Sequence, residues 1–168
     1  TPEQNGVAER KNRHILEIAR TLLIGASVPK QFWADAVIHA IYLMNRMPSR
    51  TLDFHTPLEA LAHHVPLSSI LNLTPRIFGC VAYVHLHKNQ RSKLDPCALR
   101  CVFLGFAPHQ KGYQCYHPPT RHFYVTMNAT FLEHEMFFDP TLSNQVLQGE
   151  LRTLEEPDWF EVKLEDRE

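Results

Sequence analysis

Near Pro75 the spacing of apolar residues changes period, which restricts this chain to a helical part followed by a β part. Upstream, Ile15, Ile18, Ala19, Leu22 and Leu23 recur at steps of three and four. That spacing predicts a helix over 7–24 with one apolar stripe, opened by an Asn5-Gly6 turn and ended by Gly25. A second helix is predicted from Pro29, a residue suited to the first helical position, to about Met47 before Pro48. Phe32, Trp33, Ala36, Val37, Ala40, Ile41, Leu43 and Met44 form its apolar face, and its aromatic residues read as core. Thr56-Pro57-Leu58-Glu59 has the form of a capping box opening a short third helix to about His63. Downstream, residues 77–86, 99–106, 113–117, 121–127 and 129–133 are short runs rich in Val, Phe, Tyr and Cys, separated by Gly, Pro and Asn. Five such strands predict a small barrel, and the whole an α+β chain.

Charge divides the chain at a different point. Residues 1–132 carry 14 Lys and Arg against 7 Asp and Glu, whereas residues 133–168 carry 3 against 11. A basic body suits a polyanionic partner, and the polar stretch from Asp139 onward, without periodicity, reads as a solvated acidic tail. The longest apolar stretches, broken by His39 and Gly105, are too short to span a membrane. No secretory signal is visible, and the start at Thr1 reads as that of a fragment or processed product. Cys80, Cys97, Cys101 and Cys115 form no C-x-x-C pair and lie in or beside predicted strands, where buried reduced thiols in an intracellular protein are expected.

The residues that could carry chemistry gather on the first helix. Asn5, Glu9, Asn12 and Arg13 fall on one face, where neighbours three and four apart can address one ligand together. Arg10, Lys11 and Arg20 add cations around it. Taken alone, Glu9 reads as a surface acid paired with Arg13 four residues on. Asp35, near the start of the second helix, reads as an acid satisfying the helix dipole. Asp53 reads as a turn residue. Of the eleven histidines, His85 and His87 share a strand face and His63-His64 are adjacent, but no further ligands stand at a zinc-like spacing. In the β part, Lys88, Arg91, Lys93, Arg100, Lys111 and Arg121 alternate with Tyr83, Tyr113, Tyr116 and Tyr124. Such a surface suits nucleic acid, although most of these tyrosines read as core.

The segment Pro2-Glu3-Gln4-Asn5-Gly6-Val7-Ala8-Glu9-Arg10-Lys11-Asn12-Arg13 resembles the last catalytic element of copia-type retrotransposon integrases. Asn45-Arg46-Met47-Pro48-Ser49-Arg50 and Thr56-Pro57-Leu58-Glu59 resemble their N-R-x-P-S and T-P-x-E segments. Arg76–Val84, Lys93-Leu94-Asp95-Pro96, Cys101–Phe106 and Lys111–Tyr116 resemble the SH3-like barrel that follows the integrase core in their polyproteins. Two positions depart from the pattern: Cys97 stands where a basic residue is common, and Asn128 where an Asp is usual.

The resemblance implies C-terminal helices of a ribonuclease-H-like integrase core over 1–70, an SH3-like β barrel over 75–138 and an acidic linker over 139–168. It makes Glu9 the final carboxylate of an Asp-Asp-Glu triad, hence a catalytic ligand for Mg²⁺ or Mn²⁺, and places Asn5, Arg10, Lys11, Asn12 and Arg13 against DNA. In the family the two aspartates lie upstream of this motif, so the implied activity, metal-dependent joining of element ends to target DNA, belongs to the intact parent. The implied partners are those DNAs and the upstream core, with a homo-oligomer left open and no membrane. The implied location is the nucleus or a cytoplasmic virus-like particle. A non-catalytic nucleic-acid or protein-interaction module, or a non-functional remnant, remains the alternative.

Overall fold

A computed structural model describes residues 2–65, 73–88, 91–93 and 96–139, without the side chains of 2–5. Helix α1 (Pro2–Gly25) is followed by a short 3₁₀ turn at Lys30–Phe32, then α2 (Trp33–Met44) and α3 (Pro57–Ala62). Asn5-Gly6 lies inside α1 rather than opening it. Pro2 and Glu3 are both favourable in a first turn, and one interior glycine costs only about 1 kcal/mol in a helix of this length. The capping box of α3 is present: the Glu59 N–H donates to Thr56 Oγ1 at 3.1 Å, and the Thr56 N–H donates to Glu59 Oε2 at 2.8 Å.

Five strands follow: β1 (Cys80–His85), β2 (Ala98–Phe106), β3 (Tyr113–His117), β4 (His122–Thr126) and β5 (Ala129–Met136). They form one antiparallel sheet in the order β4-β3-β2-β1-β5. Bulges at Cys80/Val81 and Phe103/Gly105 bend it. Three strand spacings separate β3 from β5, about 14 Å on a flat sheet. Yet the rings of Tyr113 on β3 and Phe131 on β5 lie 4.9 Å apart. The sheet therefore curls around these rings as a barrel wall does.

Inside the curl lie Cys80, Ala82, Val84, Cys101, Phe103, Phe106, Tyr113 and Cys115. The opposite face of β2 presents Val102 and Leu104 to Ala19 of α1 and Ala36 and Ala40 of α2. Strand β2 is thus covered on both sides, the physical reason for six consecutive buried residues from Cys101 to Phe106. Helices and sheet share a hydrophobic core. Burying a side chain the size of Phe103 stabilises it by roughly 1.5–3 kcal/mol.

Gly79 sets the closeness of this packing. It has φ +80°, and a Cβ there would lie 2.4 Å from Ala26 Cβ and 2.9 Å from Val28 Cγ2. Two core expectations are corrected. Phe32 is buried, but Trp33, the first residue of α2, is 60% exposed because it borders an open cleft with Leu16 and Leu23 of α1 rather than entering the core. Cys80, Cys101 and Cys115 are buried free thiols, whereas Cys97 precedes β2 and is exposed. Burial pushes the Cys80 thiol up to about 12 and Cys101 to about 11. The acidic tail beyond Asp139, and Leu94-Asp95, lie outside the described residues.

Candidate nucleic-acid interface

Helix α1 has two unlike halves. Ile15, Ile18, Ala19, Leu22 and Leu23 turn toward α2 and the sheet, with Ala19 buried and the others half-buried. Residues 7–14 are all exposed. At 3.6 residues per turn, Glu9 points roughly 120° away from Ile15, with Asn12 and Arg13 on the same side. Arg10 projects farther round. Lys11 falls on the side of the apolar stripe, one turn before that stripe begins. Glu9, Arg10, Lys11, Asn12 and Arg13 are thus brought together on one exposed stretch, and Asn5 lies in the same helix with its side chain outside the description. Glu9 makes no ion pair with Arg13 among the described residues. Three cations within about one turn of Glu9, namely Arg10, Lys11 and Arg13, with Arg20 about three turns on, give this helix a surface that can hold phosphates without reading bases.

The cations of the β part are dispersed by comparison. Lys88, Lys93, Lys111 and Arg121 are exposed, in loops or at strand ends. Arg100 is engaged: it pairs with Glu135 at 2.7 Å and lies over the Phe137 ring. Of the tyrosines, Tyr113 is buried, while Tyr116 and Tyr124 pack against the core clusters. They support the sheet rather than offer stacking faces. Asp35 sits in the first turn of α2 as expected, but half-buried, accepting a hydrogen bond from Gln114 Nε2 at 2.8 Å. Desolvation raises its carboxyl above the usual carboxylate range, an effect the Gln114 hydrogen bond partly offsets.

One polar residue of the helix–sheet junction escaped the sequence reading. His39 is fully buried on α2, with its ring stacked on Phe106 at 5.4 Å and against Phe78 and Phe103 at 5.3 and 5.7 Å. Neither ring nitrogen has a hydrogen-bond partner, and burial lowers its pKa to about 4. It borders a cavity of about 410 Å³ between the end of α1, α2 and β5, where Arg76 pairs with Glu133 at 2.6 Å. A histidine among α2's apolar residues was the available signal.

A metal needs converging ligands. Among the described residues no group of three His, Cys, Asp or Glu is placed to hold an ion, and Glu9 stands as a single carboxylate. The described residues therefore do not make a metal site by themselves. No helix among them is long and apolar enough to cross a membrane.

Residues 80–145 match the retroviral polymerase SH3-like domain family. The chain is 37% identical over 159 residues, 95% of its length, to the retrovirus-related Pol polyprotein from transposon RE2 of Arabidopsis thaliana. It is 40% identical over 134 residues, 80% of its length, to the corresponding polyprotein from transposon RE1 of the same plant. These matches cover 11% and 9% of the two relatives, so the chain spans about a tenth of their length. It also matches an uncharacterized mitochondrial protein of Arabidopsis thaliana at 41% identity over 87 residues, 52% of this chain and 67% of that protein. No solved structure matches.

Proposed function

Because this chain belongs with the Pol polyproteins of copia-type retrotransposons, we propose that it is the DNA-holding end of their integrase joined to the SH3-like domain. The observation that carries this reading is the exposed stretch of α1, where Arg10, Lys11 and Arg13 surround Glu9 and Asn12. These cations and amides hold the DNA backbone, by charge and without base preference. In the intact polyprotein Glu9 is one ligand for Mg²⁺ or Mn²⁺, beside carboxylates this chain does not bring to it. The residues here position the DNA and present that carboxylate. Such a product works in the nucleus or in a virus-like particle.

A non-catalytic binding module is the second reading. The shared core of helices and sheet favours it, because a unit with its own core can bind without the rest of the polyprotein.

The test is fluorescence anisotropy of the 168-residue chain with a labelled blunt duplex at 50–200 mM salt. Binding should weaken with salt, and Arg13→Ala should lower the log–log slope by about one phosphate contact. In the full-length polyprotein, Glu9→Gln should abolish strand joining while leaving DNA affinity unchanged. Loss of joining without retained DNA binding would refute the division of roles, and retained joining would leave only the module.

A further inference from the structure

Helix α2 runs about 18 Å from Trp33 to Met44. The loop leaving its end holds the most exposed large apolar side chain among the described residues, Phe54, at 73%. Phe54 has φ +63° and Asp53 before it φ +49°. Aspartate tolerates this left-handed region, whereas a bulky phenylalanine rarely occupies it. The loop enforces the conformation. The Ser49 carbonyl accepts from the N–H groups of Leu52 and Phe54, both at 3.0 Å, and the Ser49 N–H donates to the His55 carbonyl at 3.1 Å. The His55 N–H donates to the Leu52 carbonyl at 2.9 Å, and the capping box at Thr56 follows at once.

An apolar ring held in water on a strained, braced backbone adds nothing to the core. Strain of this kind persists where the surroundings over-determine it, and such places cluster at functional sites. Phe54 stacks on no other ring among the described residues, unlike Phe123, which is also exposed but packs on Phe32 and Tyr116. Exposed Arg50 lies in the same loop. Beside it opens a cleft of about 400 Å³ whose lining includes Thr51, Asp53, His55, His63 and His64. A free aromatic face, a cation and a hydrogen-bonding cleft together suit one nucleotide with its base unstacked, and residues 1–132, with 14 cations against 7 acids, suit its phosphates. We propose that the 49–55 loop is a second DNA contact in which Phe54 stacks on an unpaired base. This rests on the reading that the chain holds DNA, not on which helix residues do so, and adds a preference for frayed or single-stranded ends.

The experiment compares binding of the 168-residue chain to a blunt duplex and to the same duplex with an unpaired overhang. Phe54→Ala should weaken overhang binding about tenfold, as the loss of one stacked base does, and leave blunt-duplex binding unchanged. Phe54→Trp should keep the preference, and Phe54→Leu, apolar but without a ring, should lose it. Phe54→Gly should lose the preference while raising the melting temperature, since glycine accepts the positive φ. Arg13→Ala should weaken both DNAs alike. Unchanged overhang binding by Phe54→Ala would overturn the proposal, as would a shift from dimer to monomer with DNA binding intact, which would make Phe54 a contact between copies. If wild type binds neither DNA, the reading of α1 falls and this one with it. If only the Arg13 effect is missing, the loop contact stands and the role of α1 falls.

Discussion

Burial of His39 makes the helix–sheet junction sensitive to acid, and the sign follows from its surroundings. In the unfolded chain the imidazole takes up a proton near its ordinary value of 6.5, whereas in the folded chain burial among aromatic rings delays this until about 4. Between those values the unfolded state binds more protons, so folding stability falls as pH drops through 6.5 and levels off below about 4. Each unit of separation corresponds to about 1.4 kcal/mol, giving a loss of about 3 kcal/mol over the window, a large part of the stability of a small domain. Asp35 contributes with the opposite sign: its folded pKa is raised, so it favours the folded state as the medium becomes acidic. A comparison with His39→Leu cancels this and other carboxylate effects. Leucine has similar volume, does not titrate and removes two unpartnered buried nitrogens. Urea unfolding followed by circular dichroism at pH 7, 6, 5 and 4 should show wild type losing about 3 kcal/mol more than His39→Leu. Parallel curves would mean that His39 has an unburied or hydrogen-bonded state, and would refute the reasoning.

Gly79→Ala should destabilise by about 2 kcal/mol or more, because the added carbon meets Ala26 at 2.4 Å on a backbone at positive φ; the urea midpoint measures it. Thr56→Ala should cost about 1 kcal/mol by removing the α3 cap, read from the same midpoint. A colorimetric thiol reagent should titrate one cysteine in the native protein, Cys97, and four after denaturation. Removing residues 140–168, which carry 8 acids against 3 cations, should tighten DNA binding at low salt, with the gain shrinking as salt rises.

Strand limits were legible because their determinants are local. The β-branched and aromatic runs at 99–106 and 113–117 end at turn residues, and the observed strands span 98–106 and 113–117. The capping box was equally local. What escaped depends on residues distant in sequence. Whether Trp33 or Phe32 enters the core is decided by where β3 and β4 lie, since Phe32 packs on Tyr116 and Phe123. His39 reads as a break in an apolar stretch until Phe78, Phe103 and Phe106 close around it. The grouping of Glu9 with Arg10, Lys11 and Arg13 was visible because one helix carries them all. Phe54 was invisible as a special residue, since its left-handed backbone is imposed by hydrogen bonds across the loop.

The unequal halves of α1 have a mechanical consequence. From Ala19, its first buried residue, to Glu9 is about 15 Å of helix, and from its end at Gly25 about 24 Å. Residues 7–14 thus form an arm beyond the part of α1 that packs chiefly on α2, which is itself seated on β2. A tilt of about 5° there would sweep the Glu9 carboxylate through about 1–2 Å, which on the role proposed for Glu9 in the intact polyprotein is enough to change a rate about a hundredfold. Helix α2, seated on β2, can therefore act as the fulcrum that aims the distant carboxylate.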